Sequence, residues 1–272
     1  MFGIAIVSVA IGAWHAAAVP GPRRIVRVDT RTGARAGDRD SLAEEAPLEI
    51  RARGQVVATV LRTPGHDLEL VRGLVHAEGV APGARPALVQ TGGDVVDVDV
   101  PATDFAPRAL AATAACGLCG RAAIDDLARH AAVVASDLAV PAATIAALPE
   151  LLAAAQPVFR ITGGLHAAAL FDEHGALVAA REDVGRHNAL DKLIGWALDD
   201  GRLPLSRSLL LMSGRLGYEL AHKAVMAGAP VIAAVSAPST LAIDVCERFR
   251  VTACGFVRDG RFNVYSHAWR IA

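Results

Sequence analysis

The sequence has few aromatic residues, few cysteines and almost no net charge. Aromatic side chains make up 4% of the 272 residues, although hydrophobic residues reach 53%. Alanine, at 56 positions, supplies much of that fraction, so we expect a core of closely packed small side chains. Four cysteines are too few for a disulfide framework in a chain of this length. The composition therefore predicts a soluble, globular and intracellular protein.

The balance of charge argues against a nucleic-acid-binding surface. Lys and Arg number 27 and Asp and Glu number 28, which gives a net charge of -1. Residues 2–13 form an apolar run, but no Lys or Arg precedes Arg23, so a signal peptide would lack its positive region. The run is also marginal for a membrane span. A cleaved signal, a membrane anchor and a segment outside the fold all stay open. We favour the third and expect residues 1–22 to be an extension of a protein without membrane contact.

Residues 23–115 read as a β-rich N-terminal subdomain that ends in a mobile loop. We interpret residues 23–45 as a basic, polar stretch. Alternating apolar residues then predict two hairpins, over 48–62 and 87–100. Between them, Asp67 can cap a helix that stops at Gly79.

Residues 116–272 change to alternating strands and helices. The predicted helices are 122–132, 188–198, 216–227 and 241–249; the predicted strands are 158–162, 167–171, 176–181, 208–212, 231–235, 251–258 and 261–265. Such alternation is typical of an α/β (or α+β) layered architecture with a partly parallel sheet.

The sharpest local feature is the pair Cys116 and Cys119, flanked by Gly117 and Gly120. Glycines allow a tight turn that brings two sulfurs together, and the helix predicted to follow would stabilise a thiolate. Such a pair supports zinc binding, disulfide exchange or persulfide transfer. A thioredoxin-like pair would follow the first strand of a βαβ unit, so its place after a long mid-chain loop favours persulfide transfer.

A zinc site would need further ligands. His76 and Glu78 before the cysteine pair match the order found in zinc deaminases. However, Ala115 stands where a proline is expected, and His76 lies at a predicted helix end, where histidine stabilises terminal carbonyls. The other cysteines, Cys246 and Cys254, are expected to be buried small hydrophobic residues.

Several loops that open helices are candidate anion sites. Ser213, Gly214 and Arg215 follow one predicted strand, and residues 236–240 follow the next. A third loop precedes the helix that begins near His187, and a fourth is the glycine-rich turn at 162–166. None matches GxxxxGK[ST] or GxGxxG, but together they predict a phosphate-bearing ligand. His166, His187 and His267 lie beside such segments and stay candidates for ligand contact or proton transfer, whereas His15, His130 and His174 are expected on the surface or in linkers.

Longer motifs occur in a specific order. They are Arg62-Thr-Pro-Gly65, Ala115-Cys-Gly-Leu-Cys-Gly120, Thr162-Gly-Gly-Leu-His166, Arg181-Glu-Asp-Val-Gly-Arg-His-Asn-Ala-Leu-Asp-Lys192, Ser213-Gly-Arg215, Ile232-Ala-Ala-Val-Ser-Ala-Pro238 and Arg261-Phe-Asn-Val-Tyr-Ser-His267. Over about residues 44–272, the sequence resembles the FdhD family of sulfur carriers needed for formate dehydrogenase activity. His76 and the apolar N-terminus depart from the family's usual pattern.

The resemblance implies a cytoplasmic sulfurtransferase, often homodimeric, with a cytidine-deaminase-like C-terminal domain. Such proteins take persulfide sulfur from a cysteine desulfurase and pass it to bis-molybdopterin guanine dinucleotide, the molybdenum (or tungsten) cofactor of formate dehydrogenase. By position, Cys116 would carry the persulfide and Cys119 would assist it. The cofactor is a bound acceptor, and no permanent metal is expected. The family's cofactor-binding stretch matches Phe256, Val257, Arg258, Asp259, Gly260 and Arg261; we add Ser213, Gly214, Arg215 and His187 as candidate contacts.

Two alternatives stay open from the sequence. The protein could be a zinc-dependent, deaminase-like protein, in which case purified protein would contain stoichiometric zinc. It could also be a cofactor chaperone that delivers without sulfur transfer, in which case activity would not depend on either cysteine.

Overall fold

The computed structural model describes residues 21–80, 85–105, 124–125 and 127–272, and its N-terminal part holds two small sheets. Strands β1 (Arg23–Val28) and β2 (Arg35–Asp40) form an antiparallel ribbon. A four-stranded sheet contains β3 (Ala46–Ala52), β4 (Gln55–Arg62), β5 (Leu88–Gln90) and β6 (Val95–Val98), in the order β4-β3-β6-β5. Helix α1 (Asp67–Ala77) packs its apolar face on that sheet. Both predicted hairpins are confirmed, since β3 pairs with β4 and β5 pairs with β6 in antiparallel register.

The second half forms one mixed sheet of six strands. These are β7 (His166–Asp172), β8 (Leu177–Asp183), β9 (Ser208–Met212), β10 (Val231–Ala234), β11 (Thr252–Arg258) and β12 (Arg261–Val264), in the order β12-β11-β10-β9-β7-β8. Strands β9, β10 and β11 run parallel, and β7 and β12 run antiparallel to their neighbours. The predicted α/β class with a partly parallel sheet is confirmed.

Helices cover both faces of the six-stranded sheet. They are α2 (Ala142–Ala154), α3 (Pro157–Thr162), α4 (Arg186–Asp199), α5 (Tyr218–Met226) and α6 (Thr240–Phe249), with short 3-10 turns at Ala102–Asp104 and Ala268–Arg270. Residues of α4, α5 and α6 share one apolar core with the sheet, and α2 contributes to the core on the other face. Many of these core positions are alanines, as expected from the composition.

Two glycines bring the N-terminal sheet against the large domain. Helix α1 crosses α4 so closely that a Cβ atom at Gly73 would lie 2.0 Å from the carbonyl oxygen of Asp191. A Cβ atom at Gly195 would lie 1.9 Å from the carbonyl oxygen of Glu69. Only glycine fits at either position, because both obstacles are backbone atoms of the opposite helix.

A buried ion pair continues this contact. The Asp183 carboxylate, at the end of β8, lies 2.7 Å from Lys192 Nζ and accepts a hydrogen bond from Thr63 N at 3.1 Å. Lys192 donates a second bond, 2.8 Å long, to the Thr63 carbonyl. Asn188 Nδ2 donates to the Leu61 carbonyl (2.7 Å) and to Asp183 (2.9 Å). These bonds fasten the end of β4 to the start of α4, and both charged side chains are almost completely buried.

The strand predicted over 158–162 is wrong, because this segment is helix α3. Pro157 occupies its first turn, where proline is preorganised for a helix. The amides of Val158 and Phe159 donate to the Glu182 carboxylate at 3.0 and 2.8 Å. Glu182 thus caps the helix from a distant strand, so no local pattern reveals the cap.

Other elements also differ from the predictions. Within the helix predicted over 122–132, the described residues 124, 125 and 127 are helical and residues 128–130 form a turn, whereas residues 131–140 contain no helix. There the Val134 amide bonds to the Phe249 carbonyl and draws the chain along the end of α6. The interpretation of 23–45 as a polar stretch missed the β1–β2 ribbon, and α2 was not predicted.

The helix cap predicted at Asp67 is wrong as well. His66 occupies the cap position, with a left-handed φ of 59°. The Asp67 carboxylate instead receives two hydrogen bonds from the buried Arg62 guanidinium, at 3.0 and 2.9 Å. Arg62, the first residue of one family-like motif, therefore has a structural partner.

Candidate functional site

The four cysteines fall into two pairs with different environments. Cys116 and Cys119, the predicted reactive pair, lie outside the described residues. Cys246 in α6 and Cys254 in β11 are buried, as expected. Burial raises the pKa of each of these two thiols to about 12. Because the thiolate is the nucleophilic form, neither buried cysteine is suited to attack a sulfur atom near neutral pH.

Ser213, Gly214 and Arg215 lie where β9 ends, as the sequence predicts. Ser213 Oγ accepts a hydrogen bond from the Ala167 amide at 2.8 Å, so this hydroxyl also holds β7 in place. A Cβ atom at Gly214 would lie 3.4 Å from His166 Nδ1. The structure therefore brings the glycine-rich turn that ends at His166 against this loop. The Arg215 side chain is exposed to solvent.

The next loop connects this region to the C-terminal hairpin. The Ser236 amide donates to the Gly214 carbonyl at 3.2 Å, and the Phe256 amide donates to the Ser236 carbonyl at 3.2 Å. A Cβ atom at Gly255 would lie 2.9 Å from the ring of Pro238, so glycine is required for this close approach. The loops at 162–166, 213–215 and 236–240 thus form one continuous surface, the candidate edge, at the carboxyl ends of the parallel strands, where α/β proteins bind ligands.

The stretch from Phe256 to Arg261 is a bulge followed by a tight hairpin. Phe256 has a φ of 54°, and the turn residues Asp259 and Gly260 have φ values of 54° and 70°, as in a two-residue hairpin turn. Arg258 and Arg261 are cross-strand partners at the turn, and both are exposed. Like charges opposite each other are unfavourable, and the turn between these two arginines also exposes the Asp259 carboxylate. The side chain of Val257, in contrast, is fully buried in the core.

His187 lies farther along the same edge, in the first turn of α4. Its Nε2 atom is 2.6 Å from Glu219 Oε2 of α5, and this hydrogen bond lowers the pKa of Glu219. The pair borders a cavity of about 410 Å³ between β4, α1, α4 and α5. The pKa of the nearby His166 is lowered by burial and by the positive charge of Arg186.

The same cavity holds a buried polar cluster that the sequence did not reveal. Lys223 Nζ lies 2.6 Å from Asp191 Oδ1, and both side chains are nearly inaccessible. Burial raises the pKa of Asp191 to about 6, and burial lowers the pKa of the neighbouring His222 to about 4. Asp191 lies in α4, and His222 and Lys223 lie in α5. From the sequence, only the helical spacing of the residues within each helix could have indicated which side chains form this cluster.

Comparisons with known proteins agree on one family. A model of the FdhD/NarQ family matches residues 43–272. This chain belongs to the FdhD/NarQ family. Among its relatives are proteins named sulfur carrier protein FdhD from Streptomyces avermitilis and Streptomyces coelicolor, each 46% identical over 269 residues, which cover 92% of this chain and 95% of the relative. The protein of that name from Mycobacterium tuberculosis is 44% identical over 259 residues, covering 85% and 92%.

A solved structure supports the fold. A crystal structure from Desulfotalea psychrophila, described as a formate dehydrogenase accessory protein, superimposes with a TM-score of 0.74. The two chains are 23% identical, and the match covers 92% of this chain and 98% of the other. The α/β architecture described above is therefore that of a solved protein.

Two of the sequence motifs have a structural explanation. In the motif Arg181–Lys192, the side chains of Asp183, Asn188 and Lys192 fasten the N-terminal sheet to the large domain. Arg181 forms a part-buried ion pair with Glu69 of α1 at 2.6 Å. Much of this motif is accounted for by structural contacts, and His187, Asn188 and Asp191 line the cavity.

The apparent zinc-deaminase pattern has a different explanation. His76 Nε2 lies 3.0 Å from the carbonyl oxygen of Met226, the last residue of α5, and burial lowers the pKa of His76. It stabilises a helix-terminal carbonyl as expected, but that carbonyl belongs to another helix. Within the described residues, no group of three or more His, Cys, Asp or Glu side chains is arranged to hold a metal ion.

The remaining histidines divide as follows. His130 and His174 are exposed, as expected, and His15 lies outside the described residues. His267 Nε2 lies 3.0 Å from the carbonyl oxygen of Glu247 in α6, away from the candidate edge.

Within the part of the chain that the structure describes, no helix is long and apolar enough to span a bilayer.

Proposed function

We propose that this protein is a sulfur carrier that accepts sulfur as a persulfide on Cys116 from a cysteine desulfurase. It passes this sulfur to bis-molybdopterin guanine dinucleotide, the molybdenum cofactor that formate dehydrogenase needs. The cofactor is the substrate, bound at the edge formed by Ser213–Arg215 and Phe256–Arg261, and the protein acts in the cytoplasm as a homodimer.

The observation that carries this proposal is the state of the cysteines. Relatives that are 46% identical to this chain are named sulfur carriers, and a persulfide carrier needs a thiolate. Cys246 and Cys254 are buried, with their pKa values raised to about 12. By elimination, sulfur is carried by Cys116 or Cys119. The sequence resemblance assigns the persulfide to the first of these.

The charge of the candidate edge supports an anionic substrate. Arg215, Arg258 and Arg261 are all exposed at the loops that follow the parallel strands. Within the described residues, none of the three has a carboxylate partner, whereas many other arginines of the chain do. Unpaired arginines suit the pyrophosphate groups of a dinucleotide cofactor.

The sulfur transfer proceeds in two exchange steps, and in each step one S–S bond forms while another breaks. First, the Cys116 thiolate attacks the outer sulfur of the desulfurase persulfide. A new S–S bond forms on Cys116, and the desulfurase cysteine leaves as a thiolate. Next, the Cys119 thiolate attacks the inner sulfur of the Cys116 persulfide, forming a Cys116–Cys119 disulfide and releasing the outer sulfur, now reduced to hydrosulfide, to the cofactor. A dithiol reductant then regenerates both thiols.

Mass spectrometry after incubation with desulfurase and cysteine tests the first exchange. We expect one additional sulfur atom on the peptide that contains Cys116 in the wild-type protein. The Cys116→Ala variant should gain none and should fail to activate formate dehydrogenase, while it keeps the fold and binds the cofactor. The matched control, Cys254→Ala, should still be loaded, because its thiol is buried. Loading of Cys116→Ala, or activation by it, would contradict the proposal.

A further inference from the structure

The β1–β2 ribbon stands apart from the rest of the described structure. Its two strands pair with each other and, among the described residues, with no other strand. Nearly every residue of both strands is exposed. A single two-stranded ribbon is only marginally stable in water, so a surface that covers it would stabilise it. The ribbon also precedes residue 43, where the match to the family model begins.

The register of the ribbon separates its charges onto two faces. Cross-strand partners point to the same side, so one side contains Arg24, Val26, Val28, Arg35, Gly37 and Arg39. We call this side the arginine face. The opposite side contains Arg23, Ile25, Arg27, Ala36, Asp38 and Asp40, and there Arg27 forms a 2.9 Å ion pair with Asp38.

The arginine face combines positive charge with exposed apolar surface. It has three arginines and no carboxylate, and within the described residues these arginines have no acidic partner. Val26 and Val28, which lie among them, are 60% and 52% exposed. An apolar centre with a charged rim is the usual anatomy of a protein–protein interface.

The base of the ribbon lies beside the candidate functional edge. Three residues after β2, the side chain of Ala43 packs against the small cluster of Val158 and Leu165, which Val184 also contacts. A Cβ atom at Gly164 would lie 3.1 Å from that of Ala43. Gly164 is two residues before His166, which contacts the Ser213–Arg215 loop. A protein bound to the ribbon would therefore be held next to the proposed cofactor site.

We propose that the arginine face docks an acidic surface with an apolar centre on cofactor-free formate dehydrogenase, the protein that receives the cofactor. This inference rests on the proposed function, which places the departing cofactor at the edge beside the ribbon. A protein partner is favoured over a nucleic acid by the two exposed valines and by the net charge of -1 of the chain. It is favoured over a membrane because the face has no aromatic or long apolar side chain.

Two matched triple variants test the proposal. Arg24→Gln/Arg35→Gln/Arg39→Gln removes three charges from the arginine face. Arg23→Gln/Arg27→Gln/Arg31→Gln removes three from the opposite face and the turn of the same ribbon. Binding of each full-length protein to immobilised, cofactor-free formate dehydrogenase is measured by biolayer interferometry at several NaCl concentrations.

We expect the first variant to bind about tenfold more weakly or worse and to lose most of the salt dependence, because rim charges steer association. The second variant should stay within about threefold of the wild type. Val26→Thr/Val28→Thr keeps the β-branched shape but removes apolar surface, and it should also weaken binding. Equal affinities for the two triple variants, or a wild-type affinity that is insensitive to salt, would overturn the proposal.

Parallel measurements separate this inference from the proposed function. Cysteine desulfurase, single-stranded DNA and vesicles of phosphatidylglycerol and phosphatidylcholine serve as alternative probes. Loss of binding to one of these probes, with formate dehydrogenase binding unchanged, would show that the assigned partner is wrong. If the wild type gains sulfur on Cys116 but binds no formate dehydrogenase, the docking proposal fails while sulfur loading stands. If Cys116 gains no sulfur, the proposed function itself fails.

Discussion

The ion pair between Asp183 and Lys192 permits a quantitative test of what the long family motif does. Lys192 is 1% exposed and Asp183 is fully buried. Lys192→Met keeps an unbranched side chain but removes the cation, which leaves a buried carboxylate without its countercharge. It also removes the donor to the Thr63 carbonyl. Removing one partner of a buried pair costs about 3–5 kcal/mol.

That loss is large compared with the total stability of a typical domain, which is about 5–15 kcal/mol. Urea unfolding followed by circular dichroism measures it. With a slope of about 3 kcal/mol per molar urea, the midpoint should fall by about 1–2 M. The matched control is Arg202→Met, which breaks the exposed 2.6 Å pair with Asp200 and should cost about 1 kcal/mol or less.

Two further measurements test whether Lys192 acts only by pairing with the Asp183 carboxylate. Because the cost is attributed to the unpaired carboxylate, Asp183→Asn combined with Lys192→Met should be more stable than Lys192→Met alone. Sulfur loading of Cys116 should be retained while the variant is folded, since Lys192 is fully buried. A loss of stability no greater than that of Arg202→Met would refute the structural role. Normal stability with impaired loading would instead assign Lys192 to the chemistry.

Two other predictions concern the contact between α1 and the large domain. Gly195→Ala should lower the melting temperature strongly, because its Cβ atom would lie 1.9 Å from the Glu69 carbonyl oxygen; Gly217→Ala, where nothing lies within 4 Å, is the control, and equal melting temperatures would contradict the prediction. Burial alone would raise the pKa of Glu69, but hydrogen bonds from Arg181 and His66 outweigh burial and lower this pKa to about 2. Because a lowered carboxyl pKa stabilises the fold above its unfolded value, the stability advantage of wild type over Glu69→Gln should be full above about pH 5 and should vanish as pH falls to about 2. A pH-independent difference in urea unfolding would show that the ion pair is not its source.

Elements whose signal is local could be predicted from the sequence. Strand β9 and helix α4 lie close to the predicted bounds, because a continuous apolar run and a helical spacing of Leu190, Leu193 and Ile194 are patterns of single segments. The burial of Cys246 and Cys254 follows from ordinary cysteine behaviour in such elements. The order of the long motifs identified the family, and the comparisons confirmed it.

Two of the errors arose because a side-chain partner outside the segment decided its local structure. Residues 158–162 have the composition of a strand, yet they form a helix because Glu182 caps it from β8. Asp67 is a residue type that often caps helices. Its carboxylate binds Arg62 instead, because the turn between the two residues buries both side chains next to each other.

The family, the α/β class and the cysteine pair on which the proposed chemistry depends could therefore be predicted from sequence patterns. The tertiary structure alone decided which motif residues face solvent and which fasten the molecule together. Asp183 and Lys192 form a buried ion pair that connects the N-terminal sheet to the large domain. Arg215, Arg258 and Arg261, in contrast, are exposed at one edge. Burial and ion pairing depend on residues that are far apart in the chain. Helix and strand propensity and the spacing of apolar residues, in contrast, depend on residues that are neighbours in the sequence.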